Sequence, residues 1–297
     1  MIAADEHAER FTLLRPLLFT IAYEITGSAT EADDVLQDSY LRWAAVDLGK
    51  VQDTKAYLAQ LVTRQALNTL RSQARRREDY VGPWLPEPLL LDERDGAADV
   101  VLAESVSMAM LVVLETLTPD ERAVFVLREV FGFSHDEIAD AIGKSTAAVR
   151  QMAHRAREHV HSRRRRFEPL DPHQSEQITT QFLTAAATGD LDGLIGMLAP
   201  DVVFTSDSAG KVSAARRPVL GPDKVARLII GLMRQAGPEY RMEVASYNSA
   251  PALVVYRNEQ PDSVFLIEFA DGKINNFYAM RNPDKLVAAT VRREIRR

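Results

Sequence analysis

A chain of 297 residues is too long for one small fold and suggests two or three domains. With 46% apolar and 26% charged residues and a mean hydropathy of −0.17, its composition excludes whole-chain disorder and collagen-like structure. The absence of cysteine excludes disulfide scaffolds, thiol catalysis and Cys-ligated zinc.

The formal charge of −6 argues against a nucleic-acid partner only if charge is spread evenly, and it is not. Residues 24–38 hold Glu24, Glu31, Asp33, Asp34 and Asp38 without a cation, whereas residues 64–77 hold Arg64, Arg71, Arg75, Arg76 and Arg77. A second basic run includes Arg150, Arg155, Arg157 and the arginines at 163–166. Asp5, Glu6 and Glu9 stand where a secretory leader would carry positive charge, and no apolar run reaches the roughly 18 residues of a membrane span. The expectation is a cytoplasmic protein with no membrane partner.

Phe11, Leu14, Leu17, Leu18, Ile21 and Ile25 recur at helical spacing, and Gly27 stops that helix. A second helix from about Thr30 presents Val35, Leu36, Tyr40 and Trp43 on one side and its acids on the other. After a loop over 46–53, a third helix over about 54–76 buries Leu58, Leu61, Val62, Ala66 and Leu70, with arginines along its distal half. Residues 80–99, with three prolines and two glycines, break the helical period; Trp84 and the leucines make this stretch a docking segment rather than a free tether.

A helix is expected over 100–117. Thr118 with Glu121, and Ser134 with Glu137, are successive capping boxes, and Pro119 takes a first-turn position where its missing N–H costs nothing. The helix from His135 to Ile142 ends at Gly143, and Ser145 caps a basic helix after a short turn, which is a helix-turn-helix. Beyond the prolines at 169 and 172, helices over 175–188, 191–198 and 223–235 accompany the alternating segments VVFTS, YRMEVASY, ALVVYR and VFLIEFADGKINNFYA. Asp271-Gly272 is a hairpin signal within the last of these. The pattern is that of an α+β domain with a concave face.

The order EADDVLQDSYLRW, TKAYLAQLVTRQALNTLRSQARRR, then LTPDERAVFVLREVFGFSHDEIADAIGKSTAAVRQMAHRAREHV resembles regions 2 and 4 of extracytoplasmic-function sigma factors, over about residues 8–165. WLPEP, DGKI and NPDKL further resemble the subgroup of these factors that carries a C-terminal SnoaL-like (NTF2-like) domain. The resemblance implies two all-α domains, at 1–78 and 100–167, joined by a proline-rich linker at 79–99 and followed by an α+β cone domain at 168–297. It also implies RNA polymerase core and promoter DNA as partners.

If Val149, Met152 or Ala153, and Ala156 face inward, then Arg150, Gln151 and His154 face the major groove, while Arg155 and Arg157 suit phosphates; Ser145 stands at the start of that helix. By resemblance, the loop at 47–53 with Arg64, Asn68, Arg71 and Arg75 meets the separated promoter strand, and Asp34, Gln37, Asp38 and Arg42 meet polymerase. Trp84, Leu85, Pro86, Glu87 and Pro88, with Asp271, Gly272, Lys273, Asn282, Pro283, Asp284 and Lys285, are the expected interdomain contacts, with Asn282-Pro283 turning the chain into its tail.

SnoaL-like folds include cyclases that use a His/Asp pair, but the only histidine beyond residue 170 is His173, at the domain's edge. Asp201, Asp207 and Glu268 alone make a thin case for catalysis, and the glycine-rich loop that the subgroup places ahead of a lysine is reduced to Ser208-Ala209-Gly210-Lys211. The expectation is a regulatory rather than catalytic domain, without metal or cofactor, with a small ligand as a candidate occupant of its concave face. The competing reading, a helix-turn-helix repressor responsive to a small molecule, accounts for residues 118–160 but not for the acidic and basic helices of the first domain.

Overall fold

The computed structural model describes residues 2–91, 99–163 and 172–297. They fall into two compact units: residues 2–79 and 99–163 with the last five residues form the first, and residues 80–91 with 172–292 form the second.

The first unit is all helical. Helices α1 (Ile2–Thr26), α2 (Ala29–Trp43) and α3 (Thr54–Glu78) enclose a core of Leu18, Ile21, Trp43, Leu58 and Val62. The indole N–H of Trp43 donates to the His7 carbonyl at 2.9 Å, so the largest side chain of this core is buried with its polar atom satisfied. The loop at 46–53 contains one 3₁₀ turn, Leu48–Lys50, capped by Asp47.

The single helix expected over 100–117 is instead two, α4 (Val100–Ser105) and α5 (Met108–Leu114). Serine explains the break: Ser107 accepts from the Met110 amide to start a new helix, a local alternative to the helical ladder. Helix α6 (Pro119–Phe125) runs into a π-helical turn over Val126–Val130. Helices α7 (His135–Ile142) and α8 (Thr146–Arg163) follow. Both capping boxes form, and Gly143 takes a left-handed φ of 70° that lets the chain turn within three residues. The tail returns to this unit: Ile295 is buried, the Arg296 amide donates to Thr20 Oγ1 at 3.1 Å, and Arg293 pairs with Asp33 at 2.5 Å.

The second unit is α+β. Helices α9 (Pro172–Thr188) and α10 (Leu191–Met197) lead into β1 (Leu198–Asp207), β2 (Val219–Leu220) and α11 (Pro222–Gln235). The chain continues through β3 (Tyr240–Tyr247), β4 (Ala250–Arg257), β5 (Gln260–Ala270) and β6 (Lys273–Met280) to α12 (Pro283–Ala289). The sheet order is β2-β1-β6-β5-β4-β3, with β1 and β6 parallel and every other neighbour antiparallel. Phe182, Leu194, Phe204, Val225, Ile229 and Phe277 form its core.

Three two-residue turns join β3 through β6, at Asn248-Ser249, Asn258-Glu259 and Asp271-Gly272, each with both residues at positive φ. Leu198, expected at the end of a helix, opens β1. Asn282-Pro283 does not turn the chain into a tail: the Asn282 side chain accepts from the Asp284 amide and Pro283 occupies the first turn, so the pair starts α12.

Candidate nucleic-acid interface

Helix α8 divides cleanly. Val149, Met152, Ala153, Ala156 and Val160 are buried, and Arg150, Gln151, His154, Arg155 and Arg157 are exposed. The buried set packs α8 onto α7 and α6, which leaves the polar set facing out along one side of the helix. Ser145 is exposed and its hydroxyl accepts from the Ala148 amide at 3.3 Å, so it fixes where the helix begins. The cations are not all idle. Arg155 lies 3.2 Å from Glu121 and Arg157 2.5 Å from Glu129, whose hydrogen bond and charge together hold the Arg157 guanidinium above its ordinary pKa. His154 sits 3.5 Å from Glu158.

Asp34, Gln37, Asp38 and Arg42 are exposed at helical spacing on α2, opposite the buried Val35, Leu36, Ser39 and Trp43. Leu41, 65% exposed, lies among them and gives this acidic surface an apolar element.

On α3 the structure shows something the sequence did not. Arg64 donates from Nε to the Ala141 carbonyl at 3.1 Å and from Nη2 to the Asp140 carbonyl at 2.6 Å, so its guanidinium closes the C-terminus of α7. Terminal carbonyls lack helical partners and carry partial negative charge, which suits a planar cation. Arg71 pairs with Asp120 at 2.5 Å, and Lys144 reaches the same carboxylate at 3.1 Å. Burial acts to raise Asp120, and the bonds from Arg71 and Lys144 outweigh it, holding the carboxyl below its ordinary pKa. Two of the four expected strand-binding residues are thus engaged by the helix-turn-helix half of the same unit. Asn68 is exposed, and the side chain of Arg75 lies outside the described residues, as do residues 164–166.

In the second unit, WLPEP and NPDKL meet. Asp207, wholly buried at the end of β1, accepts from the Leu85 amide at 2.9 Å, from the Tyr80 hydroxyl and from Lys285 Nζ at 2.8 Å. Lys285 also donates to the Leu85 carbonyl and stands 3.3 Å from the centre of the Trp84 ring. Asn282 donates to the Tyr80 hydroxyl at 2.9 Å. Burial first, then the bond to Asp207 and its charge, drive the Tyr80 phenol above its ordinary pKa.

Pro86, Glu87 and Pro88 are buried. Leu89 exchanges backbone and side-chain bonds with Asn248, and Leu90 bridges to Tyr247, so residues 89–90 pair with the C-terminal end of the edge strand β3. The cover expected for Trp84 therefore comes from α12 within this unit. DGKI does not join the cluster: Asp271, Gly272 and Lys273 are exposed at the hairpin end of β6, and Asn282 follows its other end. Lys211, from the shortened loop, pairs with Asp284.

For chemistry, Asp207 is committed to three structural donors, and the side chain of His173 lies outside the described residues. No group of three or more His, Asp or Glu able to hold a metal occurs among the described residues. No described helix is long and apolar enough to cross a membrane. Sequence reasoning missed Asp120, Tyr80 and Asn248 as organising residues. Asp120 looks like an ordinary acid in a helix's first turn, and only the approach of α3 reveals its role.

Residues 11–76 match Sigma-70 region 2 and residues 107–160 match Sigma-70, region 4. The chain is 38% identical to the ECF RNA polymerase sigma factor SigJ of Mycobacterium tuberculosis, over 95% of this chain and 94% of that protein. It is 30% identical to the probable ECF RNA polymerase sigma factor SigI of the same organism, over 92% of each. The crystal structure of M. tuberculosis SigJ superposes with a TM-score of 0.76 at 35% identity, covering 95% of this chain and 99% of that one.

Proposed function

Because the chain belongs to the ECF RNA polymerase sigma factors, we propose that its own interfaces divide as follows: α2 meets polymerase, α8 reads promoter duplex, and α3 takes the separated strand once region 4 releases it. The chain's function is that of a sigma factor, which brings core polymerase to a promoter.

The observation that carries the proposal is the engagement of Arg64 and Arg71 by α7 and Asp120. A cation bonded to a helix terminus or a carboxylate cannot at the same time neutralise a DNA phosphate, so strand capture requires these contacts to break. Exposed pairs contribute about 0–1 kcal/mol each, which leaves the arrangement easy to reverse when polymerase binds. Arg150, Gln151 and His154 address base edges and Arg155 and Arg157 address phosphates; the last two must first exchange Glu121 and Glu129 for DNA.

The α+β unit acts in this reading as a non-catalytic regulator in cis. Support comes from its WLPEP–NPDKL cluster, which gives the unit its own hold on the connecting segment, and from the tail, whose Arg293 occupies Asp33 beside the polymerase-binding face.

The test is transcription by full-length protein with core polymerase on a promoter pool. Arg150→Ala or Gln151→Ala should relax preference at particular upstream base pairs by about 1–3 kcal/mol each. Arg157→Ala should weaken all sequences alike and lower the salt slope by about one. The same uniform loss from both kinds of variant would overturn the assignment of the α8 face.

A further inference from the structure

A half-open cavity of about 330 Å³ lies at the surface of the first unit, between α3 with its preceding loop and the helix-turn-helix. That volume falls within the range of small-molecule sites. The cavity belongs to neither the polymerase-binding nor the duplex-reading face, but Lys50, Val51, Gln52 and Asp53 of its lining come from the loop expected to meet the separated strand, so an occupant would compete with that strand. Its walls are apolar and partly aromatic, formed by Tyr57 on one side and by Phe133 and Ile138 on the other. Thr63 also lines it. That residue is wholly buried, and its hydroxyl has no hydrogen-bond partner among the described residues. A buried hydroxyl left unsatisfied costs about 1–3 kcal/mol, so a partner supplied by an occupant would be rewarded.

The charge around the cavity is one-sided. Asp53, Glu137 and Asp140 contribute carboxylates against the single ammonium of Lys50. Two of these acids serve helix N-termini, Asp53 accepting from the Ala56 amide at 3.0 Å and Glu137 from the Ser134 amide at 2.7 Å. Asp140 has no ion-pair partner among the described residues; on α3 neither Lys55 nor Arg64 lines the cavity, and Arg64 is turned to backbone carbonyls.

We propose that this cavity is a binding site for a small organic cation with a flat apolar body, such as an aryl-alkyl amine. Its ring lies between Tyr57 and Phe133, its ammonium meets Asp140, and a polar atom reaches Thr63. The two walls belong to different sigma regions, so a ligand bound here is linked to the arrangement in which Arg64 and Arg71 are engaged. Bound ligand holds that arrangement in proportion to its occupancy. This last consequence rests on the reading that regions 2 and 4 must separate for initiation.

The test titrates tryptamine into the full-length protein by calorimetry, with indole-3-propionate as the anion of matching shape. Saturable binding of tryptamine, at least about tenfold tighter than the propionate, is expected. Asp140→Asn and Thr63→Val should each weaken it about fivefold, the loss of one polar contact, and Gln60→Trp should abolish it by filling the cavity with its own indole. Equal affinity for the two indoles, indifference to Asp140→Asn and Gln60→Trp, or no saturable binding by about 10 mM, weaker than any useful small-ligand contact, would overturn the site. Tryptamine that passes these tests yet leaves promoter initiation unchanged would uphold the site and overturn the requirement for separation.

Discussion

Glu24 offers the sharpest perturbation. It is wholly buried on α1, and burial, only partly opposed by Ser105 and the Arg122 charge, pushes its carboxyl up to about 8 from 4.5. Hydrogen-bond geometry agrees with a protonated group. Ser105 Oγ lies 2.7 Å from Glu24 Oε1 and 2.9 Å from the Leu102 carbonyl. A hydroxyl carries one proton and the carbonyl none, so both contacts are bonds only if the carboxyl supplies the second proton. Arg122 does not neutralise the carboxylate directly; it donates to the Glu24 backbone carbonyl at 2.8 Å and pairs with Glu115 at 2.6 Å.

A raised carboxyl is protonated in the folded chain and ionised in the unfolded one between pH 4.5 and 8, so the folded state binds more protons and stability must fall as pH rises through that window. Relative to low pH, the loss is about 1 kcal/mol at pH 5, about 3 at pH 7 and about 4 at pH 8, levelling near 5 above that. Glu24→Gln keeps the shape, donates an N–H to Ser105 and cannot ionise. Urea unfolding of the two proteins from pH 5 to pH 9 should therefore show variant and parent close together at pH 5 and the variant ahead by several kcal/mol at pH 8. Parallel stability curves would refute the reasoning, because they would mean that Glu24 is ionised and paired in the folded protein.

Lys285→Met should leave the wholly buried Asp207 without its counter-ion and destabilise the α+β unit by about 3–5 kcal/mol, read by thermal unfolding and by faster proteolysis within residues 80–91; adding Asp207→Asn should restore part of the loss. Asp120→Asn should free Arg71 and Lys144 and raise DNA affinity about two- to fivefold, measured by fluorescence anisotropy on a promoter fragment, since each exposed pair contributes about 0–1 kcal/mol. Asp34→Arg with Asp38→Arg should abolish pull-down of core polymerase while circular dichroism stays unchanged, because both side chains are exposed and reversal of charge acts on the partner rather than the fold.

Local features of this chain were legible because local residues determine them. Capping boxes at Thr118 and Ser134, the left-handed Gly143 and the Asp271-Gly272 turn each depend on contacts within a few residues, and each formed where the sequence placed it. The exposed face of α8 followed from helical period alone. Turns at Asn248-Ser249 and Asn258-Glu259 were harder to read, since their second residues lack the glycine that marks a positive φ. The break between α4 and α5 was equally hidden, because whether a serine caps or continues a helix depends on what its hydroxyl meets.

Tertiary structure decided what each charged side chain does. Arg64 and Arg71 carry the same charge in any fold, but a helix terminus and Asp120 approach them only when residues some 50 to 77 positions away fold back, as the separations of their bonds record. Lys285 read as an interdomain contact and Asp207 as a candidate for the concave face, with nothing in the sequence to pair them; burial left each with the other as counter-ion, beside Trp84 and the Leu85 carbonyl, the latter 200 positions from Lys285. Sequence therefore determined most of the helices and the glycine-marked turns, whose signals are periodic and local, while the sigma architecture came from resemblance to a family. The partners of the charges were set by long-range approach, whose energy depends on distance and desolvation that no local pattern encodes.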